Sequence, residues 1–96
     1  MNKIPYESRR QTYTNAYIQY GERNQMIVAL EELSECQKEI CKVLRDEGNM
    51  DHLAEEIADA TIMLEQLRYF LGLNELVCEK MDQKIQRLDS RLNVKP

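Results

Sequence analysis

Apolar residues recur along this chain at intervals of three and four, and nowhere in the sustained alternation of a half-buried strand. Gly21, Gly48 and Gly72 cut that pattern into four stretches. The first predicts a helix over 7–20 that stops at Gly21, a residue that readily takes the left-handed conformation favoured at a helix C-terminus. Asn24 is suited to cap a second helix, which continues to Leu44 or Glu47 before Gly48. Asn49 or Asp51 starts a third over 53–71, ending at Gly72, and Asn74 caps a fourth over 75–92. Short breaks make neighbours antiparallel. The expected fold class is therefore all-α: a four-helix antiparallel bundle-like subunit, one domain over 1–96 with its core at 7–92 and loose ends at 1–5 and 93–96. A domain this small buries a modest share of its surface, which predicts a homo-oligomer, dimer or tetramer.

Placing residues at about 100° per position separates two acidic clusters. In the second helix Met26, Leu30, Leu33, Cys36, Ile40 and Leu44 form the apolar arc, with Glu32, Glu35 and Glu39 at its edge or opposite it. In the third, Leu53, Ile57, Ala60, Leu64, Leu67 and Leu71 line one side, and Met63 and Phe70 widen it. Glu56 then projects beside Ala60, Met63 and Leu67, and Asp59 between Met63 and Phe70. Carboxylates in apolar surroundings need a cation or a metal, because a buried unpaired anion is costly. Arg68 is the cation at hand, but its wheel position points elsewhere. Residues three apart share a helix face, so Glu32 pairs with Glu35 and Glu56 with Asp59. Four such carboxylates converging across a hairpin form an oxygen-rich set suited to a hard divalent cation. The two pairs are equidistant from a point between Arg45 and Asp46, so they meet at one level only if the second helix ends before Glu47.

The formal charge of −4 disfavours binding to a nucleic-acid backbone. Cys36, Cys41 and Cys78 lack Cys-x-x-Cys spacing, His52 is the only histidine, and neither a zinc site nor a Cys/His nucleophile has material. The cysteines read as reduced core thiols and His52 as a capping or solvent-facing residue. No leader-like or membrane-spanning apolar run occurs, which places the expected protein in the cytoplasm with no membrane partner.

Glu31-Glu32-x-x-Glu35, a hairpin, then Glu56-x-x-Asp59 and an apolar helix resemble the EExxE and ExxD signature of the MazG-like, all-α nucleoside triphosphate pyrophosphohydrolases. The approach from Gly21 to Leu30 and the closing stretch from Lys80 to Leu88 also look like that family's. The resemblance covers about residues 20–92. It implies hydrolysis of a nucleoside triphosphate between its α and β phosphates, giving the monophosphate and pyrophosphate. It also implies that Glu32, Glu35, Glu56 and Asp59 are the catalytic metal ligands, holding Mg²⁺ with Mn²⁺ as the other candidate, and that Glu31 is a supporting acid.

Substrate contacts would come from other helices. Tyr13, Tyr17 and Tyr20 make an aromatic stripe that suits either the core or stacking on a base. Lys80, Lys84 and Arg87, in line with Arg91, suit either a solvated face or phosphate contacts, including contacts to a neighbouring subunit's site. Two rival readings remain beside the hydrolase. One is a non-catalytic helical oligomerisation or interaction module, which leaves Glu56 and Asp59 unexplained. The other is an iron or manganese carboxylate bundle, which lacks the expected Glu-x-x-His ligands.

Overall fold

The computed structural model describes residues 6–93 as four helices: α1 Tyr6–Tyr20, α2 Glu22–Leu44, α3 Met50–Phe70 and α4 Asn74–Leu92. There is no strand among the described residues, so the all-α expectation holds. Residues 1–5 and 94–96, taken above as loose ends, lie outside the described residues. Among the described residues no helix is long and apolar enough to cross a membrane.

The turns follow from local chemistry. Gly21 (φ 86°) and Gly72 (φ 65°) occupy the left-handed region that side chains disfavour. Beyond α3 the N–H groups of Gly72 and Leu73 return to the carbonyls of Tyr69 and Arg68, satisfying the last turn. Asn49 caps α3, its Oδ1 accepting from the N–H of Asp51 at 2.8 Å and of His52 at 3.2 Å. The His52 side chain is exposed. Two expected caps are different. Asn24 lies inside α2, its side chain donating to the Tyr20 carbonyl at 2.8 Å, and α4 begins at Asn74 after Leu73 with no side-chain cap.

The α2–α3 turn uses its glycine in another way. Asp46 takes the left-handed conformation (φ 58°), and the N–H groups of Asp46 and Glu47 close onto Val43 and Lys42. Gly48 is required for space, since a Cβ there would lie 2.5 Å from Val43 Cγ2 and 2.8 Å from its Cα. α2 therefore ends at Leu44, as the hairpin register demands.

α2 and α3 form the main pairing, α1 lies against both, and α4 touches α3 alone. The fold is thus a three-helix body with α4 projecting from it, rather than a closed four-helix bundle. Its radius of gyration is 16.4 Å, against roughly 12.5 Å for a compact domain of this length. The buried apolar residues among those described are Tyr13, Ala29, Ala60 and Met63.

Expectations about two faces are corrected: Ile57 and Leu64 on α3 and Leu71 at its C-cap, all of the expected inner side, are exposed, and Ala60, Met63 and Gln66 are the buried residues. The apolar arc of α2 is turned outward, with Leu30 at 68% and Leu44 at 80% exposure and Met26, Leu33 and Ile40 also exposed. What faces inward is the neighbouring edge, Gln25, Ala29 and Glu39 buried with Glu32 and Cys36 half-buried. Small Ala29 and Ala60 let α2 and α3 approach closely, and Gln66 Nε2 donates to Gln25 Oε1 between them, so a polar pair is satisfied where the wheel predicted aliphatic packing. The cysteines are not core thiols either: Cys36 is half-buried, and Cys41 and Cys78 are exposed.

Candidate metal centre

The hairpin register sets the site. Gln25 and Gln66, joined by their hydrogen bond, are equidistant from the point between Arg45 and Asp46. Glu32 with Asp59, and Glu35 with Glu56, share that midpoint, so the observed pairing brings opposite carboxylates to common levels. Glu32, Glu56 and Asp59 each present an oxygen within 4.8 Å of the others. Glu32 and Glu56 are half-buried and Asp59 is exposed, so Asp59 sits at the rim rather than in the apolar setting expected for it.

Their electrostatics are those of uncompensated anions. Desolvation raises the Glu32 carboxyl above its ordinary range, and Asp59, Glu56, Glu35 and Glu31 push it the same way. Desolvation also raises Glu56, followed by Asp59, Glu35, Glu39 and Glu55. Glu56 Oε2 is buried and has no hydrogen-bond partner. Among the described residues no cation pairs with Glu32, Glu56 or Asp59. Arg68, the one cation considered for that role, instead donates from Nη2 to Cys78 Sγ at 3.2 Å. Three clustered carboxylates with an orphaned buried oxygen fit the all-oxygen ligand set of Mg²⁺ or Mn²⁺.

The other predicted residues separate. Glu35 is close enough to raise Glu56 but lies outside the triplet and faces Lys38 at 3.9 Å. Glu31 is exposed and outside the triplet, sharing an open groove with Glu32 and Glu35, and its charge helps raise Glu32. Tyr13 is buried in the core, which favours its packing role. Tyr17 stacks on Phe70, with ring centroids 4.3 Å apart, and its hydroxyl donates to Glu22 at 3.5 Å. Lys80, Lys84 and Arg87 lie on the projecting, exposed part of α4 and make no ion pair among the described residues.

Glu39 was placed outside, and the structure buries it, with Lys42 Nζ 3.2 Å from its Oε1. The available signal was its position seven residues after Glu32, two turns along the same face. The Gln25–Gln66 clamp was also missed, because nothing local distinguishes a buried glutamine from a solvated one. No family model, curated protein or solved structure matches the chain.

Proposed function

We propose that the chain is a Mg²⁺-dependent nucleoside triphosphate pyrophosphohydrolase, cleaving (deoxy)nucleoside triphosphates to monophosphate and pyrophosphate in the service of nucleotide-pool housecleaning. The observation that carries this reading is the convergence of Glu32, Glu56 and Asp59 across α2 and α3, with Glu56 Oε2 buried and unpartnered. The EExxE and ExxD spacing supports it, and the MazG-like resemblance supplies the reaction class.

In this reading Glu32, Glu56 and Asp59 hold the cation, and Glu35 joins them by leaving Lys38. Bound there, Mg²⁺ would offset phosphate charge and lower the pKa of an attacking water. The chain's own part is to hold the carboxylates together through the hairpin register, and to offer a carboxylate oxygen as acceptor for the water proton. The outward apolar arc of α2 supports a homodimer or homotetramer as the working form. That arc equally favours the rival reading of an oligomerisation module without catalysis.

Pyrophosphate release from a panel of nucleoside triphosphates, dUTP and dCTP included, separates the two. The expected outcome is Mg²⁺-dependent release that Glu56→Gln or Asp59→Asn abolishes while helicity by circular dichroism is unchanged. Wild-type protein releasing none from any member, with Mg²⁺ or Mn²⁺ present, leaves the module.

A further inference from the structure

Apolar stripes on three helices lack partners among the described residues: the outer arc of α2, Ile57 and Leu64 on α3 with Leu71 at its C-cap, and Met81, Ile85, Leu88 and Leu92 on α4. Those of α2 and α4 are the most exposed, reaching 80% at Leu44 and 74% at Leu92. They do not meet within the chain, since α4 touches only α3.

Each face is bordered by charge. At about 100° per residue, the α4 stripe has Lys80, Lys84, Arg87 and Arg91 along one edge and Glu75, Asp82 and Asp89 along the other. The α2 arc is bordered on its α3 side by Glu32 and Glu39, and on its far side by Lys38 and Arg45 together with Glu31. The four cations of α4 make no ion pair among the described residues, and neither do Glu32, Glu56 and Asp59.

Handedness decides how these faces fit. Viewed from the N-terminus of each helix, the basic edge of α4 and the acidic edge of α2 fall on the same side of their apolar faces. Two helices packed face to face bring same-side edges together only when antiparallel. In that orientation the basic edge of α4 meets the acidic edge of α2, and Asp82 and Asp89 meet the edge carrying Lys38 and Arg45. Parallel packing instead sets the acidic edge of α4 against the α2 edge that carries Glu32 and Glu39, a like-charge arrangement that is disfavoured. Pairing α4 with α4 in antiparallel fashion also opposes like charges, and pairing them in parallel matches charge but leaves the outer arc of α2 uncovered.

We propose that α4 of one copy packs antiparallel onto the outer face of α2 of a second copy, and reciprocally, so that its basic edge borders that copy's carboxylate centre. Such a two-fold contact covers both apolar faces on both copies and closes the assembly. It also gives the acidic centre the cations that its own chain withholds. The proposal does not depend on the hydrolase reading, and its test uses no nucleotide.

The test is carbodiimide coupling of the full chain, mixed from unlabelled and isotope-labelled protein, with mass spectrometry of the linked peptides and sedimentation of the variants. The expected result is a dimer or larger closed assembly whose mixed-isotope links join Lys80 or Lys84 to Glu32. Ile85→Glu should weaken association roughly 30-fold or more, as for an interface anchor. Lys84→Glu with Arg87→Glu should weaken it about ten-fold, and Ser90→Glu on the opposite face of α4 should leave it unchanged. A monomer at micromolar concentration overturns the proposal. So does an assembly that Ile85→Glu leaves intact, or one without α4-to-α2 links between copies.

Discussion

Replacing Gln66 by leucine tests the clamp on which the site's register depends. Gln66 is 4% exposed and Gln25 8% exposed, and the Nε2 of one donates to the Oε1 of the other between α2 and α3. Leucine has nearly the same size, so the change removes the donor with little cavity and leaves a buried acceptor on Gln25. A buried group left unsatisfied costs about 1–3 kcal/mol, and the low exposure of Gln25 limits rescue by water, which argues for about 2 kcal/mol. For a chain of this length each kcal/mol moves the melting temperature by roughly 4–8 °C, so Gln66→Leu should melt roughly 8–16 °C below wild type. Gln25→Leu should behave similarly, whereas the double variant, with neither polar group left, should lie close to wild type. Thermal and urea unfolding followed by circular dichroism measure all four proteins as a double-mutant cycle. The reasoning is refuted if the two losses simply add, with a coupling below about 0.5 kcal/mol.

Other outcomes follow from the same structure. An acid whose pKa is raised on folding holds its proton more tightly in the folded state, so ionising Glu32 and Glu56 destabilises the metal-free fold above their raised values. The advantage of Glu32→Gln/Glu56→Gln over wild type should therefore be greatest near neutral pH and shrink as pH falls toward the ordinary value of 4.5, read by urea midpoints; a constant gap contradicts this. On the proposed metal reading, Mg²⁺ or Mn²⁺ should raise the melting temperature, and because binding needs both carboxylates ionised the rise should fade as pH drops and be lost in Glu56→Gln. Persistence of the full shift in that variant removes Glu56 from the centre. Gly48→Ala should cost about 1–3 kcal/mol by forcing a Cβ into Val43, and an unchanged urea midpoint argues against the close approach.

Much of the fold was legible because it is local. A helical period, an asparagine that caps α3 and glycines at two left-handed positions are properties of a few adjacent residues. The carboxylate centre was legible in part for the same reason, since Glu56 and Asp59 share a face whatever lies opposite. Hairpin arithmetic set Glu32 level with Asp59 once α2 was taken to end before Glu47, and α2 does end at Leu44. Glu39 was misplaced, because its neighbours along α2 give it the appearance of a solvated glutamate while Lys42 and the α3 face bury it.

The sequence by itself determined four helices, their breaks and the spacing that lets acids from α2 and α3 share a level. Only the tertiary structure decided which side of α2 faces α3, that Glu32, Glu56 and Asp59 converge while Glu35 stays with Lys38, and that α4 stands away from the body. The physical reason is that a helical wheel ranks faces by apolarity, whereas packing also depends on close approach through small residues and on satisfying buried polar groups. Ala29, Ala60 and the Gln25–Gln66 pair together outweighed the more apolar arc, and that choice carried Glu32 and Glu39 inward.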